Sequence, residues 1–263
     1  MLKGGGRGAL ATVVRTSGST PQQAGARLLL RPDGGTVGTV GGGAIEHAVL
    51  QALREAQQGG EPRLLARDLG HDLGMCCGGR MEIFVEPVEG APRLWLFGAG
   101  HVARPTAAMA RGVGFEVIVV DEREELNTEP RFPACRRELA EPTALLRAAA
   151  LGGRDWLLIV THDHRLDEEL LERALEKQPR FIGLVGSRRK TFRLLQRIGA
   201  RLGDLAAKRD RVYAPVGLDI GAVGPDEIAV SIVAELVALR RGRQAAHLRA
   251  VEDGRLLRLL GDG

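Results

Sequence analysis

Arg93-Leu94-Trp95-Leu96-Phe97-Gly98-Ala99-Gly100-His101-Val102-Ala103 is the stretch whose reading decides the fold. Its first five residues form a short, nearly all-apolar run of the kind buried on both faces of a parallel sheet. The run leads straight into Gly-x-Gly-x-x-Ala, after which the pattern turns helical. A second apolar run, residues 116–120, ends at Asp121, 23 positions after Gly98. Strand, glycine turn, helix, strand and acid in this order make the dinucleotide pattern of a Rossmann unit. In that pattern Gly98 permits the tight turn and Gly100 the approach of a pyrophosphate. Ala103 lets the helix pack closely, and Asp121 is placed to accept a hydrogen bond from a ribose 2′-hydroxyl. The same residues also serve a sheet that turns without holding a nucleotide, so the pattern specifies the fold and leaves the ligand open.

Downstream, residues 156–161 and 181–185 are two further short apolar runs, with helical segments between several of the strands, as a parallel sheet requires. Thr161-His162-Asp163-His164 follows the first of them, at the strand end where open α/β sheets place ligands. His162 and His164 are candidates for polar ligand contact, proton transfer or metal ligation; the plainer reading is a solvated loop with one His capping the next helix. Gly186-Ser187-Arg188-Arg189-Lys190 follows the second run and combines amides, a hydroxyl and cations. Cations at a helix start are disfavoured by the helix dipole unless an anion is present, so Ser187 and Arg188 read as an anion site. The last helix starts at Gly224-Pro225, has Asp226 and Glu227 in its first turn, and ends at Arg240-Arg241-Gly242, each residue where helix ends prefer it.

Upstream the pattern differs. Residues 9–16 are β-rich, and 26–31 and 36–40 flank the turn residues Pro32-Asp33-Gly34-Gly35 as a hairpin. Gly41-Gly42-Gly43 opens a helix over 44–57, with Glu46 just inside it. Three successive glycines carry an entropy cost that a close approach of backbone to ligand justifies; otherwise they make only a loose turn. Strands at 63–68 and 80–88 flank a loop holding His71, Asp72 and Cys76-Cys77-Gly78-Gly79. Two thiols in a glycine-rich loop make Cys76 and Cys77 candidates for a soft metal or a persulfide, although burial is the commonest fate of a free cysteine. Residues 89–92 read as a linker. The expected fold is α/β: a smaller N-terminal α/β domain over 1–90, a Rossmann-like domain with a parallel sheet over 93–242, and a basic tail over 243–263.

The chain has 263 residues, 44% of them hydrophobic and 27% charged, an ordinary balance for a globular protein. Although the net charge is +4, acids and bases are interleaved and only 3% of residues are aromatic, which leaves few stacking platforms and argues against nucleic-acid binding. No run approaches the length of a membrane helix, and residues 1–8 lack the apolar core of a signal peptide, so a cytoplasmic protein with reduced thiols is expected. Three cysteines, two of them adjacent, do not form a disulfide framework.

Taken in order, these blocks resemble the XdhC/CoxI family of xanthine dehydrogenase accessory proteins. The resemblance runs through Ser17-Gly18-Ser19-Thr20-Pro21, Gly38-Thr39-Val40-Gly41-Gly42-Gly43 with Glu46, Cys76-Cys77-Gly78-Gly79 and Gly98-Ala99-Gly100-His101-Val102-Ala103. It continues through Thr161-His162-Asp163-His164, Gly186-Ser187-Arg188-Arg189-Lys190 and Pro215-Val216-Gly217-Leu218-Asp219-Ile220-Gly221-Ala222 into the last helix. It implies a carrier that binds molybdenum cofactor (molybdopterin), shields it while a cysteine desulfurase supplies its sulfido ligand, and delivers it to xanthine dehydrogenase or a related molybdenum hydroxylase. On that reading Gly41, Gly42, Gly43, Glu46, Gly98, Gly100, His101, Asp121, His162, His164, Ser187 and Arg188 bind cofactor, and Cys76 and Cys77 also meet the metal. There is no catalytic residue in the enzymatic sense, a nucleotide of the NAD type is a further candidate ligand, and a homodimer is compatible. The chain departs from the family pattern in starting its first strand almost at once, where relatives generally carry a helix, and in having Ala44 where Cys is frequent. Two other readings use the same residues: an NAD-dependent oxidoreductase on the Gly98 turn and Asp121, and a non-catalytic adaptor that docks a desulfurase to its target.

Overall fold

A computed structural model describes residues 6–72, 78–203 and 209–246. The chain divides into two compact units, one built on residues 1–93 with 114–116 and 154–156, the other on the remainder.

In the first unit, β1 (Arg7–Ser17), β2 (Arg27–Leu30), β3 (Thr36–Gly38), β4 (Arg63–Asp68) and β5 (Arg80–Glu89) form one sheet in the order β3-β2-β1-β5-β4. Its pairings are antiparallel, with Ala11 opposite Val85 and Val13 opposite Ile83. Alternation along each strand sends Ala9, Ala11 and Val13 of β1 and Met81, Ile83 and Val85 of β5 to the same buried face. Helix α1 (Gly43–Gln57) covers that face with Ile45, Val49, Leu53 and Ala56, a stripe at helical spacing. The N-terminal α/β expectation thus resolves into an antiparallel sheet with one covering helix.

In the second unit the strands are β6 (Arg93–Phe97), β7 (Glu116–Val120), β8 (Arg136–Glu138), β9 (Asp155–Ile159), β10 (Phe181–Leu184) and β11 (Val212–Tyr213), and the helices are α2 (Ala103–Gly112), α3 (Pro142–Ala148), α4 (His164–Lys177), α5 (Arg188–Leu202) and α6 (Pro225–Arg240). The sheet is parallel, in the order β11-β10-β9-β6-β7-β8. The chain builds outward from β6 to β8, then crosses back and builds outward from β9 to β11, which is the doubly wound Rossmann order. After their first residues, Glu116 and Asp155, strands β7 and β9 are apolar because helices cover both faces, and Phe97, Ile118, Val120, Leu157 and Ile159 share a core with Leu170, Leu171, Leu194 and Ile198. Short β8 carries only charged residues (Arg136, Arg137, Glu138) and was not expected; it is the sheet's edge. Helix α6 starts as the sequence indicates: Pro225 opens it and the Glu227 carboxylate accepts from the amides of Val223 and Gly224, at 2.8 and 3.3 Å. Residues 247–263, most of the expected basic tail, lie outside the described residues. Among the described residues, no helix is long and apolar enough to cross a membrane.

Candidate functional site

Neighbouring strands β6 and β9 send their chains to opposite sides of the sheet, and the crevice beyond their carboxyl ends is where this topology binds ligands. Gly98 sits there with φ +111°, and a Cβ at that position would lie 2.7 Å from the Val160 carbonyl oxygen and 3.2 Å from Thr161 Cα. Glycine is therefore required by both its backbone angle and the pressure of the β9 exit. Gly100 differs, since a Cβ there would meet nothing within 4 Å, so the turn presents bare backbone to open space. The residue between them is pinned on both sides. The Ala99 amide donates to Asp121 Oδ2 (2.7 Å) and its carbonyl accepts from Arg131 Nη2 (3.0 Å).

Asp121 is where the sequence places it, at the end of β7, and its carboxylate is already engaged. Oδ1 accepts from the amide and Nε of Arg123, each at 2.9 Å, while Oδ2 accepts from Ala99 and from Arg123 Nη2 at 2.7 Å. Burial pushes this carboxyl upward in pKa, but the hydrogen bonds from Arg123 and Ala99 outweigh it and hold the group below the usual range. In this arrangement the carboxylate sets the shape of the glycine turn, so a ribose hydroxyl would have to share an oxygen that already has two donors.

The helix starts of the chain differ in what closes them. Glu141 caps α3, Asp163 caps α4 by accepting from the Arg165 amide at 2.7 Å, and Ser187 caps α5. The acids Glu46 and Glu227 serve α1 and α6. Helix α2 has neither a side-chain cap nor an acid in its first turn. Its unsatisfied amides and dipole favour an anion. A cavity of about 500 Å³ lies beside it, lined by His101, Arg104 and Arg131, by one acid, Asp226, and by Pro105, Pro130 and Pro225 among others.

The expected anion site at α5 is more occupied than the sequence suggests. The Ser187 hydroxyl accepts from the Lys190 amide at 3.4 Å, and Arg188 pairs with Asp219 at 2.7 Å. That pair is largely exposed, with side chains 83% and 79% accessible, so it is weak and its guanidinium can exchange onto a ligand.

At the end of β9, Asp163 rather than a histidine caps α4, because its short side chain accepts from the amide two residues on, while His162 and His164 are both exposed. A residue missed by sequence reasoning lies beneath them. Asp167, 5% exposed, accepts from Thr161 Oγ1 at 2.6 Å, and its second oxygen is 3.6 Å from His164 Nδ1. Burial raises its pKa, more than the contacts with Thr161 and His164 lower it. The available signal was the spacing His164-x-x-Asp167, one helical turn. Asp167 and His164 line a pocket of about 150 Å³ with Gly186 and Lys190. Among the described residues no group of three or more His, Cys, Asp or Glu side chains is placed to hold a metal ion.

In the first unit, Gly41, Gly42 and Gly43 all adopt positive φ, with Gly42 as the N-cap of α1. Glu46 Oε2 accepts from Thr39 Oγ1 (2.5 Å), the Gly42 amide (3.2 Å) and the Val40 amide (3.4 Å), and the Thr39 hydroxyl above all holds its pKa down. The glycines read in sequence as allowing a close approach of backbone to ligand, but the Gly42 amide is already taken by the chain's own carboxylate and the Gly41 amide by the Thr39 hydroxyl, at 3.1 Å. His71 and Asp72 are in contact at 3.1 Å, and Cys76 and Cys77 lie outside the described residues.

Comparison with known proteins places these features in a family. Residues 94–236 match the model of the XdhC Rossmann domain, and residues 1–68 match that of the XdhC and CoxI family. The Escherichia coli protein YqeB, itself uncharacterised, is 37% identical over 238 residues, 88% of this chain; the chain spans 43% of that relative's length. The molybdenum cofactor insertion chaperone PaoD of the same organism is 22% identical over 289 residues, covering 89% of this chain and 84% of its own. A crystal structure of a xanthine dehydrogenase from Bacillus halodurans aligns over 94% of this chain and 95% of that one, with a TM-score of 0.52 and 26% identity.

Proposed function

The chain belongs to the XdhC family, and from that premise we propose that it is an accessory protein of molybdenum hydroxylase maturation. Its cargo is molybdenum cofactor, which it holds and protects while a cysteine desulfurase supplies the sulfido ligand, then delivers in the cytoplasm to apo xanthine dehydrogenase or a related enzyme. The kinship with a molybdenum cofactor insertion chaperone supports the cargo. The observation that carries the reading is the open start of α2 at the Rossmann crevice, whose own first turn has no side-chain cap and no acid, beside bare Gly100 and a cavity where His101, Arg104 and Arg131 outnumber the one acid, Asp226. The cargo is a pterin ending in a phosphate, sometimes extended by a nucleotide. A helix start of this kind fits that end. Cys76 and Cys77 are assigned to the soft end of the chemistry, as thiolates for molybdenum or acceptors of its sulfur.

Protein mixed with molybdenum cofactor and passed over a desalting column should retain molybdenum, measured by elemental analysis, together with a stoichiometric pterin, measured by fluorescence after oxidation. It should then raise the activity of an apo-hydroxylase. Retention of neither would overturn the proposal. The oxidoreductase alternative shares the Gly98 turn, and NADH titration separates it: tight binding with hydride transfer and indifference to molybdenum cofactor would favour an enzyme.

A further inference from the structure

We propose that the pocket at the carboxyl ends of β9 and β10 recognises a 2-amino-4-oxopyrimidine edge, with Asp167 as its acceptor, and that the ring carrying this edge is a pterin. The choice of pterin rests on the cargo proposed above; the edge chemistry rests on the pocket.

The pocket has a charged interior group, an apolar floor and a cationic mouth. Leu184 and Val185 at the end of β10 and Leu194 of α5 supply flat apolar surface, and Asp167 lies against it. The Asp167 side chain is only 7% exposed. Its Oδ1 receives the Thr161 hydroxyl, whereas Oδ2 has His164 Nδ1 at 3.6 Å, beyond hydrogen-bond length. Oδ2 therefore has room for a closer donor, which a ligand entering the pocket can bring.

The surroundings restrict which donors these can be. Only His164 accompanies Asp167 as a potential metal ligand in the lining, too few for a metal site. A cationic ligand would have to pass Lys190, Arg193 and Arg197 at the same pocket. A neutral ring with adjacent N–H donors meets the carboxylate without that repulsion, and an anionic substituent on its far side meets the cations. At about 150 Å³ the space is below that of a whole small-molecule site, so it takes one ring end and leaves the rest of the ligand outside. Pterins and guanine both present the required edge, a ring N–H (N3–H in a pterin, N1–H in guanine) beside an exocyclic 2-amino group. Burial raises the Asp167 pKa in spite of its contacts with Thr161 and His164, which marks the carboxyl as one held in a poorly solvated place.

The test uses metal-free probes with the full chain. Pterin-6-carboxylate and lumazine-6-carboxylate differ in that the second has an oxo group in place of the 2-amino group; GMP and IMP differ by the same amino group. Binding is read by fluorescence quenching for the first pair and calorimetry for the second. The expected result is at least a tenfold preference for the pterin over the lumazine, lost in Asp167→Asn, with weaker binding of both probes alike in Arg193→Ala. Equal affinity for the two in the wild-type protein would overturn the proposal, and this comparison decides even if Asp167→Asn does not fold. Preference for GMP over IMP without preference for the pterin would overturn the pterin assignment. Molybdenum retention, measured in parallel, separates the two levels. Equal probe affinities in a protein that retains molybdenum defeat the pocket alone, whereas pterin selectivity without molybdenum retention supports the pocket and defeats the maturation role.

Discussion

Replacing Gly98 and Gly100 separately by alanine separates what the glycine turn does for folding from what it does for binding. At Gly98 the added methyl meets two penalties. An L-residue at φ +111° is strained, by roughly 1–2 kcal/mol. The methyl is also driven to 2.7 Å from the Val160 carbonyl, and overpacking of this kind costs about 1–3 kcal/mol. Together these give roughly 2–5 kcal/mol, and at about 2–4 °C per kcal/mol for a chain of this size the melting midpoint should fall by roughly 4–20 °C. At Gly100 the methyl enters open space and φ is not in the left-handed region, so stability should be unchanged or higher by about 0.4–1 kcal/mol. Its effect should appear instead in binding. If a pyrophosphate seats against that backbone, an intruding methyl costs about 1–3 kcal/mol, or roughly 5- to 150-fold in affinity. Scanning fluorimetry measures the first quantity, and calorimetry with inorganic pyrophosphate and with molybdenum cofactor measures the second. Gly98→Ala melting within 2 °C of wild type would refute the steric argument, and undiminished ligand affinity in Gly100→Ala would remove the turn from the binding site.

Three further outcomes are expected. The depressed pKa of Asp121 means that its stabilising contribution is present above about pH 4 and is lost as pH falls through the still lower folded value, so Asp121→Asn should flatten the acid limb of a plot of melting midpoint against pH. Asp167 has the opposite sign: its raised pKa favours the fold at low pH and loses that advantage as pH rises through the folded value, so Asp167→Asn should gain in midpoint relative to wild type as pH rises from about 4 through that value, and a constant difference would contradict this. Cys76→Ser and Cys77→Ser, made singly, should leave the midpoint nearly unchanged while one lowers molybdenum retention or hydroxylase activation more than the other; full delivery by both would remove the thiols from the mechanism.

What the sequence disclosed followed from locality. The Gly98 turn, the strands on either side of it and the capped start of α6 are each encoded within a few neighbouring residues, so pattern alone located them. Asp121 was found but its partners were not. An acid closing a strand reads as a ribose ligand until folding brings the Ala99 amide and Arg123 to it. Asp167 was invisible for a similar reason. In His164-Arg165-Leu166-Asp167-Glu168-Glu169 it looks like one more surface charge, and only the packing of α4 against the end of β9 turns that position inward. The strand order of the first unit was equally hidden, since it depends on pairing Arg7 with Glu89.

That pairing constrains the order of events during synthesis. Strand β5 lies between β1 and β4, so both must wait for residues 80–89 before the sheet can close. A nascent chain that has reached only residue 68 holds β1 with one edge unmet and β4 with no neighbour at all, although it already contains the whole stretch that matches the XdhC and CoxI model. The matched stretch is thus a unit of descent but not a unit of folding. Until β5 emerges, the exposed edge of β1 is open to another chain's backbone.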